Sequence, residues 1–206
     1  MPEYDGAIKS LTHDGTEVAS YSYEDPEKRI YSPILAPGGL LFCVLFGDVD
    51  PEQDEIIALD AQTLQPRYQF GLSMLRNACG LVVREEEVFV CDKGNSRIQV
   101  FSLAGEHRRS ITGEWKGPVA LCLVKDRLCL IEEDDDERDD EGELICPLRG
   151  RRIFVLSLQG DTLQVYTNPV EGQRFSDALC CFDGKLLAPV QDETGVFVGV
   201  LALRGV

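Results

Sequence analysis

The sequence predicts an all-β fold built from a repeated antiparallel sheet, and three observations support this prediction. The 206 residues include 19 glycines and 10 prolines, so the chain turns often and little helix is expected. One apolar strand recurs, and its last residues are 48, 42, 55 and 45 positions apart. Short apolar runs and polar turns flank each copy. The copies are Ile8–Leu11, Ile56–Leu59, Ile98–Phe101, Ile153–Leu156 and Val198–Leu201.

The runs around each copy predict four strands per repeat. Upstream of the later four copies lie two apolar runs joined by a polar turn, at 34–46, 80–91, 119–131 and 178–190. Downstream comes a more polar run, at 16–23, 67–70, 107–112 and 162–167. A glycine follows four of the copies by four residues, as a hairpin turn requires. This plan is that of a β-propeller blade with an apolar inner pair of strands and a mixed outer strand.

The number of repeats predicts three whole blades and two partial ones. The chain begins with what reads as the last two strands of a blade and ends with the third strand of another. Two alternatives follow: a compact, irregular propeller in which the ends pair, or an open arc belonging to a longer protein. An open arc would leave strand edges exposed.

One repeat carries a family resemblance. Residues 88–105 read as an apolar strand, an Asp, a short loop with Asn, then Arg-Ile-x-x-Phe and a Gly, and this order resembles an NHL repeat. The resemblance implies a single NHL-like propeller domain over residues 1–206, with an acidic insertion at 132–143. The implied structural motif is Asp92, Asn95, Arg97, Ile98, Phe101 and Gly105.

The motif residues are expected to build the repeat rather than to catalyse a reaction. Asp92 closes the second strand, and Asn95 is expected to hydrogen-bond its own backbone in a tight loop. Arg97 is expected to pin the loop or a neighbouring blade. Ile98 and Phe101 lie on opposite faces of the third strand, from which they can pack between blades.

The charge is concentrated in one segment. The formal net charge is -16, and residues 132–143 hold ten acids and one base, so this segment contributes -9. Such a run predicts a solvated loop. It occupies the link between second and third strands, as does the acidic run at 48–55. We therefore expect an acidic docking surface for a basic segment of a partner protein. Its predicted residues are Asp48, Asp50, Asp54, Asp134, Asp135 and Asp136.

No metal site, cofactor or catalytic residue is predicted. The alternating acids of 48–54 lack the glycine and glutamate of an EF-hand loop, since Gln53 and Leu59 stand at those positions. The two histidines, His13 and His107, fall in a turn and an outer strand, away from any axial channel. The catalytic motifs G-x-S-x-G and H-E-x-x-H are missing from the sequence.

The eight cysteines predict reduced core thiols rather than a zinc site, because no C-x-x-C pair occurs. One pair invites a further prediction. If Lys125-Asp126 forms a two-residue hairpin loop, Cys122 and Cys129 lie directly opposite each other on one sheet face. At that spacing they could oxidise to a disulfide.

The predicted function is a non-catalytic protein-interaction or scaffold module that binds its partner through an acidic loop face. The alternatives are a channel-type metal-dependent hydrolase or lyase, an RNA-binding propeller, and the recognition part of a ubiquitin-ligase-like assembly. Nucleic acid is disfavoured because acidic loops repel phosphate. Met1–Asp5 does not open a signal peptide, and no apolar run is long enough to cross a bilayer, so a soluble, cytoplasmic protein is expected.

Overall fold

The computed structural model describes most of the chain. The described residues are 7–25, 27–47, 54–133, 137–138, 144–146, 149–170, 172–176, 178–192, 194 and 196–203. They form strands and turns, with one turn of 3₁₀ helix at Lys93–Asn95, so the all-β prediction is confirmed. No helix in these ranges is long and apolar enough to cross a membrane. The chain divides into two compact units, Met1–Asn95 with Gln99–Arg109, and Ser96–Ile98 with Ser110–Val206.

The first unit contains a hairpin and a four-stranded antiparallel sheet. The hairpin pairs β1 (Ile8–Leu11) with β2 (Glu17–Tyr21). The sheet consists, in chain order, of β3 (Lys28–Ala36), β4 (Leu40–Gly47), β5 (Asp54–Asp60) and β6 (Pro66–Leu75). The inner strands β4 and β5 are the buried ones, as the apolar runs predict.

A second four-stranded sheet follows along the chain. Its strands are β7 (Ala78–Arg84), β8 (Glu87–Asp92), β9 (Arg97–Ser102) and β10 (His107–Thr112). The outer strand β10 is mostly exposed, whereas β8 and β9 are almost wholly buried. This gradient is the one that the mixed composition of the outer strand predicts.

The pleat of β4 and β5 gives the first unit two cores. One face packs against β7–β9, and its buried side chains include Phe42, Val44, Ile56, Ala58, Phe70 and Phe101. The other face buries Cys43, Leu45, Ile57 and Leu59, with Ile8, Tyr21 and Tyr23 packed against them. Because successive side chains of a strand point to opposite faces, one apolar run supplies both cores.

The second unit opens with a third four-stranded sheet. Its strands are β11 (Pro118–Val124), β12 (Arg127–Glu133), β15 (Arg149–Ser157) and β16 (Thr162–Thr167), paired in that order. A two-stranded sheet lies between β12 and β15 in the sequence, and it pairs β13 (Glu137–Arg138) with β14 (Leu144–Cys146). The acidic insertion is thus not the simple loop that its composition predicts. It contains a short hairpin.

The last sheet contains four strands, and two of them share one edge of the central strand. The central strand is β19 (Lys185–Gln191), and β20 (Phe197–Leu203) pairs along one edge of it. The other edge is shared by β17 (Arg174–Phe175) and β18 (Cys180–Phe182), where the sequence predicts one strand at 178–182. Pro189 explains the interruption, because its carbonyl accepts the Ser176 N–H at 2.9 Å but its nitrogen carries no hydrogen to donate toward the same edge.

The prediction of four-stranded antiparallel sheets is therefore confirmed: the described residues form four of them, together with the two-stranded sheets of β1 with β2 and of β13 with β14. Among the described residues β1 and β2 pair only with each other, and β20 pairs only with β19. The ends of the chain are not joined by hydrogen bonds in this part of the structure, so the pairing of ends considered from the sequence is not observed.

Candidate functional site

Asp92 is the centre of a hydrogen-bond cluster at the link between β8 and β9. Its carboxylate is fully buried and accepts the Arg76 backbone N–H at 2.8 Å. The Asn95 amide donates to its two oxygens at 2.9 and 3.1 Å, and the Gln99 amide approaches to 3.5 Å. One carboxylate thus ties the entry to β7, the 3₁₀ turn and β9 together.

The structure brings two motif residues together in a way that differs from the prediction. Asn95 donates to the side chain of Asp92 rather than to its own backbone. Arg97 begins β9 and is half-buried, while Ile98 and Phe101 are fully buried in that strand. Ile98, Phe101 and the Asp92 cluster occupy the interior, where a scaffold needs them.

Gly105 occupies a turn that other residues would not fit. Its φ is +84°, in the left-handed region, and a Cβ built there would lie 2.7 Å from the Cβ of Phe70. Both facts favour glycine, which lacks a Cβ and adopts positive φ without strain.

Asp54 was predicted to belong to the docking surface, and that assignment is wrong. Its side chain is fully buried at the start of β5 and accepts the N–H of Gly47 at 3.0 Å and that of Ala78 at 2.6 Å. Burial raises the pKa of this carboxyl, although the two backbone donors act in the opposite direction. The alternating acids of the sequence do not reveal that β5 begins at this residue.

Glu132 also differs from its prediction as part of a solvated run. It is fully buried near the end of β12 and accepts the Lys116 N–H at 3.2 Å. Arg152 of β15 donates to both of its oxygens, at 2.7 Å from Nη2, and its guanidinium lies 5.0 Å from the centre of the Phe154 ring. Glu132 is therefore a scaffold residue, and the acidic segment available to a partner begins after it.

Arg152→Met should test this assignment. The substitution removes both hydrogen bonds that the buried Glu132 accepts from Arg152, together with the opposing charge, so we expect the free energy of unfolding to fall by about 1–3 kcal/mol. Water can replace part of the lost contact, because the Arg152 side chain is 36% exposed. Urea denaturation measures the effect, and an unchanged midpoint would show that Glu132 does not depend on Arg152.

Asp92 and Glu132 have the same role in consecutive sheets. Each accepts a backbone N–H from the residue that lies 16 positions earlier, just before the first strand of its sheet. Asp54 differs, because it accepts the N–H of Ala78, which begins the first strand of the next sheet. Sequence reasoning missed this pattern, although the shared spacing from a basic residue to the following acid was available as a signal.

The other predicted docking residues, Asp48, Asp50 and Asp134–Asp136, lie outside the described residues. The flanking strands fix where their segments attach: residues 48–53 link β4 to β5, and residues 134–148 link β12 to β15. The hairpin of β13 and β14 lies within the second link. One acidic segment thus attaches to each unit.

The described part of the chain offers no catalytic constellation. His13 is exposed in the β1–β2 turn, and the Nε2 of His107 lies 2.9 Å from the Gln99 Oε1.

A cavity of about 480 Å³ in the second unit is lined by residues including Lys125, Arg127 and Ser157. Ser157 donates to Asp161 at 2.9 Å, and no histidine lines this cavity. Among the described residues no three His, Cys, Asp or Glu side chains are arranged to hold a metal ion.

Comparison with solved structures shows the fold. A streptogramin B lyase superposes with a TM-score of 0.66 at 12% identity, and a luciferin-regenerating enzyme with 0.67 at 15%. The WD40 domain of Neurospora crassa Pan2 superposes with 0.58 at 9% identity. The chain is a β-propeller by fold class.

The coverage of these comparisons is unequal. They include 97%, 98% and 87% of this chain, but only 62%, 72% and 52% of the lyase, the luciferin-regenerating enzyme and the Pan2 domain. The chain thus spans about half to three quarters of these propellers. No family model and no curated protein matches the sequence, so the NHL resemblance stays a prediction.

Proposed function

We propose that this chain is a non-catalytic protein-binding module of NHL-like repeats, and that it captures a basic segment of a partner protein through its acidic links. One observation carries the proposal. The carboxylates that the scaffold needs are buried and hydrogen-bonded, so the acids of the two links are additional to those that build the sheets.

The surplus charge is large. Residues 48–53 hold three acids and no base, and residues 134–143 hold eight acids and one base. Clustered carboxylates repel one another, and a Lys- or Arg-rich segment relieves that repulsion when it binds. The basic side chain of Lys28 is occupied by the buried Glu55 at 2.5 Å, and Arg109 pairs with Glu87, so these cations serve the scaffold.

The hairpin of β13 and β14 favours docking over simple solubilisation. A run that served only to hydrate the surface would need no paired strands, whereas β13 and β14 pair antiparallel within this link. A backbone that is already ordered loses less conformational entropy when it binds a partner than a free coil does.

The alternatives find less support. An RNA-binding role requires a basic surface, and the chain has a net charge of -16. An enzymatic role would rest on the lyase and the luciferin-regenerating enzyme, whose similarity at 12% and 15% identity concerns the fold alone. A role in a ubiquitin-ligase-like assembly is compatible with the proposal, since such a role is also recognition.

Neutralising the second link should weaken binding to a basic probe. We expect the chain with Asp134, Asp135, Asp136, Asp139 and Asp140 changed to Asn to bind a labelled Lys/Arg peptide about tenfold more weakly at low salt. Glu132 is kept because it supports the fold. Fluorescence anisotropy over a salt series measures the affinity, and the melting temperature should not change.

A control with the same change in net charge separates position from total charge. Glu85→Gln, Glu86→Gln, Glu106→Gln, Asp126→Asn and Asp183→Asn also remove five negative charges, from exposed hairpin turns. This variant should bind the peptide within about twofold of the unmodified chain, as expected for dispersed surface charges. Equal weakening in both variants would refute the proposal, because it would reduce the binding to net charge.

A further inference from the structure

Two thiols face each other in the second unit. Cys122 of β11 is directly opposite Cys129 of β12, and the strands are joined through the pair Val124–Arg127, so the predicted two-residue loop at Lys125-Asp126 is confirmed. Directly opposed residues of an antiparallel pair have Cα atoms about 4.5–5.5 Å apart, within the range that a disulfide spans. The geometry of this pair is therefore suitable for a bond.

The same two thiols are protected from direct oxidation. Cys129 is fully buried and Cys122 nearly so. Burial raises the pKa of each thiol to about 12, and nearby cysteines add to the effect. Since the thiolate is the reactive form, both residues react slowly with a dissolved oxidant. A sulfenic acid or disulfide on a contacting strand of the same chain can still react with them, because its effective concentration is far higher than that of the oxidant in solution.

A third thiol, Cys181, links this pair to solvent. Cys181 is exposed on β18, and β18 contacts β11 within the second unit. Cys181 is directly opposite Leu186 of β19, which is fully buried, whereas Cys180 is opposite Leu187, which is only half-buried. Directly opposed residues of an antiparallel pair share one face of the sheet, so Cys181 is the one of the two that lies on the face of the buried Leu186.

We propose that Cys181 is a site of oxidation by hydroperoxides and that Cys122, opposed by Cys129, resolves it as a disulfide. The Cys181 thiolate attacks the peroxide oxygen, the O–O bond breaks, and the products are a sulfenic acid and an alcohol or water. The Cys122 sulfur then attacks the sulfenic sulfur, the S–O bond breaks, and the hydroxide leaves as water with the proton of the Cys122 thiol. The new S–S bond joins β11 to β18. Two thiols are oxidised by two electrons, and one peroxide is reduced.

Cys129 supplies a second step. Its sulfur can attack Cys122 in the new disulfide, which releases Cys181 as a thiol and leaves the oxidation in the β11–β12 pair. The exchange consumes no further oxidant, since one disulfide is exchanged for another. The exposed thiol is then free to react with a second peroxide.

The test treats the reduced full chain, at low concentration, with about one equivalent of hydrogen peroxide. Free thiols are then alkylated, and peptide mass spectrometry locates the bonds. We expect a Cys122–Cys181 or Cys122–Cys129 cross-link within one chain. Cys181→Ser should slow its formation at least about tenfold, because the exposed thiol is the first to react.

Two further variants make the test decisive. Cys180→Ser removes the neighbouring exposed thiol and should leave the rate of cross-linking unchanged. Cys122→Ala should stop the reaction at the Cys181 sulfenic acid, which a dimedone probe detects. The proposal is overturned if Cys181→Ser cross-links at the native rate, if the native chain gives only over-oxidised Cys181, or if the bond joins two chains.

Discussion

An Asp92→Ala chain should lose about 3 kcal/mol or more of its free energy of unfolding. The substitution removes the acceptor for the Arg76 N–H, at 2.8 Å, and for the Asn95 amide, at 2.9 Å. The amide of Gln99, which is 1% exposed, also loses an acceptor where water has little access. Urea denaturation followed by circular dichroism measures the loss.

Two comparisons sharpen this expectation. Asp92→Asn keeps one acceptor oxygen but turns an NH₂ group toward the Asn95 amide, so a smaller loss of about 1–2 kcal/mol is expected. Asp126→Ala removes an exposed aspartate and should change stability by no more than about 0.5 kcal/mol. A stable Asp92→Ala chain would show that the cluster does not support the fold.

The second large effect is expected for Phe101→Ala, which should cost about 3–5 kcal/mol. Phe101 is fully buried, and its ring centre lies 5.1 Å from that of Phe70 and 5.5 Å from that of His107. Truncation therefore leaves a cavity between β6 and β9 and removes the ring contact that joins the two sheets of the first unit. Thermal and urea unfolding measure the loss.

Phe182→Ala provides the matched control for the loss of a phenyl ring. Phe182 is 72% exposed on β18, so its truncation should change the unfolding free energy by about 0.5 kcal/mol or less. If both substitutions cost the same, the core assigned to Phe101 is wrong.

The strands could be predicted because their signal is local. The apolar runs of β4 and β5 or of β11 and β12 are joined by short turns, and pairing between neighbours needs no information from elsewhere in the chain. Even the register of Cys122 against Cys129 follows from a two-residue turn. The interruption between β17 and β18 was not predicted, because it depends on which edge of β19 Pro189 faces.

The roles of the acids were harder to predict from sequence. Asp54 and Glu132 belong to runs that consist mostly of acidic residues, and nothing local distinguishes a buried carboxylate from a hydrated one. The difference lies in donors that are distant in sequence, such as Ala78 for Asp54, 24 positions away, and Arg152 for Glu132, 20 positions away. A residue's position relative to the start or end of a strand decides whether these donors can reach it.

The hydrogen bond from Ala78 to Asp54 affects the order in which parts of the protein unfold. The donor begins one sheet and the acceptor belongs to the sheet before it. Exchange of the Ala78 amide hydrogen with solvent deuterium therefore requires local unfolding of one of the two sheets. The two sheets should behave as a single cooperative foldon. A fragment that began at β7 would start with a buried amide deprived of its acceptor, however well its own strands paired.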